Sequence, residues 1–165
     1  MSETDAESGS GAGLYTPEQR ARRDSTRWTL VQGILAPLQM AVCAVSLILI
    51  WRALATGEGQ GAAEASVVLK TLLLYAIMVT GSIWEKVVFG RWLFAPAFFW
   101  EDVVSMGVIV LHTAYLWAWW TGALAPQPLL LLAVAAYAAY AINAAQFLWK
   151  LRQARRSAPR AGVPA

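Results

Sequence analysis

Four long apolar blocks dominate this chain: Trp28 to Ala53, Ser66 to Phe89, Trp100 to Trp120 and Pro128 to Trp149. Each is near the roughly 20 residues that carry a helix across the hydrocarbon of a bilayer, and no other feature limits the fold so tightly. A membrane β-barrel would need segments of about ten residues that alternate apolar and polar, and the sequence has no such alternation. The predicted class is therefore all-α, an integral membrane four-helix bundle with spans at about 28–53, 66–89, 97–120 and 128–149 inside a domain of residues 27–150. Before it, residues 1–26 read as a polar, disordered segment, and after it residues 151–165 as a basic tail. The first apolar block is too long for a cleaved signal peptide and is expected to be a retained span.

Basic residues set the expected orientation. Arg20, Arg22, Arg23 and Arg27 precede the first span, Lys86 and Arg91 flank the middle loop, and Lys150, Arg152, Arg155, Arg156 and Arg160 follow the last. Arg52 and Lys70 fall on the opposite side, so the asymmetry is strong without being absolute. The positive-inside rule then puts both termini in the cytoplasm, in agreement with an even number of spans, and the chain in a cytoplasmic membrane. The nine tryptophans sit near span ends or in the middle loop, as an aromatic belt does. A net charge of +3 needs no nucleic acid to explain it, because basic tails hold anionic lipid headgroups. Cys43 is alone and makes no internal disulfide. Dinucleotide, P-loop and nucleophile-elbow motifs are absent; Gly57, Gly59 and Gly61 lie in an outside loop without the strand, turn and helix those motifs need.

Against this apolar background one phrase occurs twice, WEKVV at Trp84 to Val88 and WEDVV at Trp100 to Val104. The first ends the second span and the second begins the third, so a helical hairpin brings both to one membrane face. Between them, FGRWLFAPAFF is aromatic rather than polar and is expected to lie in the interface or fold over something. Pro96 fits the first position of the third helix, where its missing N–H costs nothing. The carboxylates have two readings. In the bland one they are solvated at the interface, Glu85 neutralised by Lys86 or Arg91, with Glu101 and Asp102 at the positive end of a helix. In the functional one the helix dipole disfavours a negative charge at Glu85 and favours one at Glu101 and Asp102. That separation suits Glu85 as proton donor and Glu101 or Asp102 as base, or the reverse if Lys86 is charged and close.

Other polar residues share helix faces. Thr71, Tyr75, Met78, Ser82 and Glu85 follow a 4-3-4-3 spacing, and Glu101, Ser105 and His112 fall on one face. Gln32 and Gln39 flank Pro37 in the first span, while Tyr137, Tyr140, Asn143 and Gln146 mark the fourth. All of these also suit plain interhelical hydrogen bonds. His112, the sole histidine, excludes a bis-His haem within the chain, and without a second His or Cys partner no protein metal site is expected. It remains available as one axial bond to a metal that a ligand carries in, such as the magnesium of a chlorin.

Three runs take the reading further: LYTPEQRARRDSTRWTLVQGILAPLQ, VVLKTLLLYAIMVTGSIWEKVVFGRWLFAPAFFWEDVVSMGVIVLHTAYL and YAINAAQFLWKLRQARR. Over Leu14 to Arg156 the chain resembles the 3-vinyl bacteriochlorophyllide hydratase family of bacteriochlorophyll biosynthesis. The resemblance implies hydration of the C3 vinyl group of chlorophyllide a or 3-vinyl bacteriochlorophyllide to a 1-hydroxyethyl group, in a photosynthetic membrane. It supplies no residue roles. Adding water with the hydroxyl on the inner carbon means protonating the terminal CH2 and trapping a cation that the conjugated ring stabilises. One acid and one base suffice, and no cofactor is expected beyond the magnesium carried by the substrate.

On that reading Glu85 is the expected donor and Glu101 or Asp102 the base. A flat apolar substrate is expected to enter between aromatic faces, with Trp84, Trp100 and Tyr75 beside it, its propionate on Lys86 or Arg91, and His112 as a magnesium ligand or positioning group. Expected partners are the tetrapyrrole, membrane lipid, and a second copy or neighbouring pathway enzymes to help enclose so large a ligand. The alternative is a non-catalytic pigment carrier or assembly factor that holds its cargo by His112 and the aromatic loop. A proton-coupled exporter fits less well, because none of the spans carries a carboxylate near the bilayer midplane.

Overall fold

A computed structural model of the chain describes residues 14–156, and the flanking residues 1–13 and 157–165 lie outside it. The expectations of a disordered extreme N-terminus and of the last part of the basic tail fall on those flanks. The described residues form five helices, α1 (Pro17–Ser25), α2 (Arg27–Thr56), α3 (Gln60–Phe89), α4 (Phe99–Thr121) and α5 (Pro126–Arg156), with no strand among them. Four, α2 to α5, are long and apolar enough to cross a membrane. The chain is an all-α, multi-pass membrane protein. Leu30, Ile48, Trp51, Val110, Trp120 and Ile142 point outward, as they do where lipid rather than water is the neighbour.

The short helix α1 differs from the expected disordered segment, and its cause is local. Thr16 caps it, Pro17 occupies the first turn, and the side chains of Thr16 and Gln19 bond each other's backbone N–H in a capping box. The loop expected between the first two spans shrinks to three residues. Gly57 (φ +73°) and Gly59 (φ +79°) adopt left-handed backbone that ends α2 and starts α3. The run after Gly59, rich in alanine, simply joins the helix.

The helices pair as two hairpins. α2 packs along α3 and α4 along α5, and the hairpins meet each other more sparsely. At the end with the tight turns the gap between them is closed by a core that includes Ile50, Ala53, Val67, Tyr115, Leu130 and Tyr137. At the other end, where α1 and the α3–α4 connection lie, the hairpins splay. A second, aromatic cluster there joins Tyr15, Val88 and Phe98 with Trp84, Phe89 and Phe147.

Lys70, counted in the sequence only as a basic residue on the side opposite the termini, turns into the bundle. It is completely buried; its Nζ donates to Gln39 Oε1 at 2.8 Å and lies 3.6 Å from the ring centroid of Tyr140. Gln39 in turn donates to the Leu73 carbonyl at 3.1 Å. A buried cation needs such partners. The expected interhelical bonds are also present: Gln32 to Thr80 at 2.7 Å, Ser46 to Tyr137 at 2.8 Å, and Asn143 to Ser105 at 2.7 Å.

Candidate functional site

The splayed ends of the two hairpins enclose a cavity of about 700 Å³, within the range of small-molecule sites. The segment leading into α1 and α1 itself cross its mouth, with Leu14 and Tyr15 from the first and Arg20 and Arg23 from the second; Gln39, Leu74 and Tyr140 close its deep end. Between these the walls are mostly apolar, and Glu85 and Asp102 are the carboxylates in them.

The α3–α4 connection explains how two carboxylates come to face one another inside an apolar bundle. Gly90 ends α3 in left-handed backbone, and Phe94 adopts φ +57°, an unusual conformation for a large side chain. Held that way, consecutive N–H groups turn inward. Phe94 N–H donates to Asp102 Oδ2 at 2.8 Å, and Ala95 N–H to Glu85 Oε2 at 3.2 Å. The two carboxyl groups lie close enough for each to act on the other. Two neighbouring carboxylates in an apolar wall repel unless one carries a proton, and the proton then lets one donate where the other accepts. Both residues are buried.

Pro96 does not open α4. It sits second in the turn Ala95 to Phe98, closed by Phe98 N–H to Ala95 O at 2.8 Å, where proline's fixed φ is equally at home. The helix therefore starts at Phe99, which puts both Glu101 and Asp102 in its first turn.

The repeated phrase turns out to be shifted in its use. Glu85 meets Asp102, not Glu101. Glu101 faces α5 and forms an ion pair with Lys150 at 2.6 Å, a residue that sequence reasoning counted only among the basic residues after the last span. Trp84 lines the cavity and donates its Nε1–H to Thr29 at 2.9 Å, whereas Trp100, 69% exposed, points outward. A hundred degrees per residue accounts for this, since one step along a helix separates the facing position from its neighbour.

The remaining expected site residues stand away from the cavity wall. Lys86 is exposed, donates to the Gly90 carbonyl at 3.0 Å and lies over Trp92; Arg91 is exposed. Tyr75 spends its hydroxyl on Thr113 at 2.7 Å, tying α3 to α4. His112 is completely buried against Tyr137, with Nδ1 at 2.8 Å from the Val108 carbonyl and Nε2 without a partner among the described residues. It lies about 15 Å along α4 from Asp102 by helical rise. Among the described residues no group of three or more His, Cys, Asp or Glu side chains gathers as a metal site.

Sequence reasoning marked Ser105 and Asn143 only as polar residues on helix faces and gave Arg20 and Arg23 no place at the site. Ser105 and Asn143 line the cavity one turn beyond Asp102, and Asn143 Oδ1 is a buried acceptor without a donor among the described residues. Arg20 and Arg23, read only as topogenic charges, stand at the mouth. Beside them burial pushes the Tyr15 phenol above its ordinary range, with Arg23 opposing, so the ring stays neutral. The Thr16-Pro17 cap was the available signal that this arginine-rich stretch is an ordered helix.

Comparison with known proteins converges on one family. The family model for 2-vinyl bacteriochlorophyllide hydratase matches residues 15–153. A protein of that name from Cereibacter sphaeroides is 71% identical over 143 residues, which cover 86% of this chain and 88% of that one. Another from Rhodobacter capsulatus is 68% identical over 148 residues, 88% of this chain and 84% of that one. No solved structure matches at a significant level.

Proposed function

Because the chain belongs to the 2-vinyl bacteriochlorophyllide hydratase family, we propose that it hydrates the vinyl group of a chlorophyllide-type tetrapyrrole to a 1-hydroxyethyl group. The "2-vinyl" of these names is the C3 vinyl in the other ring-numbering convention. The observation that carries the mechanism is the buried, neighbouring pair Glu85 and Asp102, each held by a loop N–H, in the wall of an apolar cavity.

A pair that shares one proton holds an acid and a base together. The protonated carboxyl gives its proton to the terminal CH2 of the vinyl group, and the inner carbon becomes a cation delocalised into the macrocycle. Water adds to that carbon while the ionised carboxylate takes its proton. The products are a 1-hydroxyethyl group and a pair that again holds one proton, ready after transfer across its own hydrogen bond. Loop N–H groups from Phe94 and Ala95 fix both carboxyls, so little reorganisation is needed during the reaction. Asn143 Oδ1 offers an acceptor for the attacking water.

The reaction so written needs no cofactor of the protein's own; the magnesium is part of the substrate. Glu101, neutralised by Lys150, is left out of the pair. Nothing in the geometry favours a carrier that grips pigment through His112, whose ring lies outside the cavity wall. The positive-inside bias supports cytoplasmic termini, which puts α1 and the cavity mouth on the cytoplasmic face of a photosynthetic membrane. A second copy or a neighbouring pathway enzyme would cover the outward aromatic side chains.

The test is turnover of the purified protein in nanodiscs with a 3-vinyl chlorophyllide in 18O-labelled water. Product that has gained one labelled water, and only when protein is present, is the expected result. Pigment that binds and is recovered unchanged would favour the carrier instead.

A further inference from the structure

An apolar cavity that takes a propionate-bearing disc needs a cation for the carboxylate, and the two expected from sequence do not reach it. Lys86 is engaged with Gly90 and Trp92 on the exterior, and Arg91 is exposed away from the wall. The cations that do line the cavity both come from α1. Arg23 is already satisfied: its guanidinium pairs with Asp24 at 2.7 Å and lies 4.8 Å from the ring centroid of Tyr15. Arg20, three residues earlier and on the same face of α1, lines the mouth and has neither a carboxylate nor a side-chain hydrogen-bond partner among the described residues. A half-buried guanidinium on an ordered helix, aimed at an apolar cavity and left without an anion, fits a carboxylate through two parallel N–H bonds.

We propose that Arg20 binds the propionate carboxylate of the substrate, so that α1 acts as a strap that selects the free acid over its esters. This rests on the hydratase reading of the cavity. The vinyl and propionate substituents belong to neighbouring rings of the macrocycle, so one edge of the disc meets both Arg20 at the mouth and the Glu85–Asp102 pair in the wall. The apolar remainder then points toward Leu74 and Tyr140. The capping box of α1 and the Tyr15–Phe89 stack, 5.7 Å between centroids, fix where the guanidinium stands.

The experiment compares a 3-vinyl chlorophyllide with its propionate methyl ester, in nanodiscs of neutral and of anionic lipid, for the unaltered protein, Arg20→Ala and Arg20→Lys. Binding is read from the pigment absorbance beside turnover. The unaltered protein is expected to favour the acid by about 10- to 100-fold in KM, the range a charge-assisted hydrogen bond supplies. In Arg20→Ala that preference should collapse to within about threefold, through KM rather than kcat, and Arg20→Lys should recover part of it. Equal handling of acid and ester by the unaltered protein, or an acid preference that survives Arg20→Ala, overturns the inference. So does a loss in Arg20→Ala that is equal for both pigments and confined to anionic lipid, since Arg20 would then serve headgroups. Acid-selective binding without turnover upholds Arg20 and instead removes the hydratase reading.

Discussion

Of the acidic residues in the twin phrases, neither their identity nor the charge around them distinguishes those that can exchange a proton with a ligand; contact does. Glu85 and Asp102 face the cavity and each other, and Glu101 faces Lys150. Glu85→Gln and Asp102→Asn are each expected to lower kcat by about 10²- to 10⁴-fold, the usual worth of a positioned acid or base. Glu101→Gln should lower kcat by less than about tenfold while costing about 1–3 kcal/mol of stability, because it leaves Lys150 without its anion. Single-turnover rates beside denaturation midpoints check both, and an inactive but stable Glu101→Gln would move the base to that residue. The sequence brought these carboxylates to one membrane face through the hairpin. It did not say which of two adjacent acids turns inward, because that depends on a helix start moved past Pro96 by the Ala95–Phe98 turn.

At the scale of elements, polar ties rather than apolar area hold the register of α2 on α3, since lipid is as apolar as the helix faces. Gln39 and Lys70 form the most deeply placed of these ties, with Gln39 as the side-chain acceptor for a buried ammonium. Two substitutions of similar size should act in opposite directions. Gln39→Leu leaves the ammonium uncompensated and is expected to cost about 1–3 kcal/mol. Lys70→Met replaces a buried charge by an apolar chain of like volume and is expected to be neutral or stabilising. Unfolding by detergent titration separates them; a greater loss for Lys70→Met would show that the lysine carries the tie. Sequence placed Gln32 and Gln39 on one helix face, which the structure shares. It gave Lys70 a side of the membrane and not its burial, because in a helix of period 3.6 the depth of a residue is legible but its rotation toward neighbours is fixed only by packing.

For the molecule as a whole, function depends on two hairpins that close at one end and part at the other. Filling the gap should abolish binding without disturbing the closed end. Ala144→Phe, on the α5 wall of the cavity, is expected to weaken pigment binding by at least about tenfold while stability changes by less than about 1.5 kcal/mol, since the added ring enters space and not packed side chains. Normal binding by this variant would place the pigment elsewhere. Orientation is testable in a Cys43→Ser background: Glu58→Cys, between α2 and α3, should react with an impermeant maleimide from outside, and Ala21→Cys on α1 only once the membrane is opened. The reverse pattern would invert the topology. The sequence by itself determined that this protein is helical and crosses the membrane, because length and unbroken hydropathy are local properties that the bilayer reads one segment at a time. It also carried the family, through runs long enough to resemble little else. Only the tertiary structure decided where the hairpins part, that Asp102 and not Glu101 meets Glu85, and that Arg20 stands at the mouth. Each of these depends on the rotation of one helix against another, and that rotation is set by contacts between residues far apart in the chain.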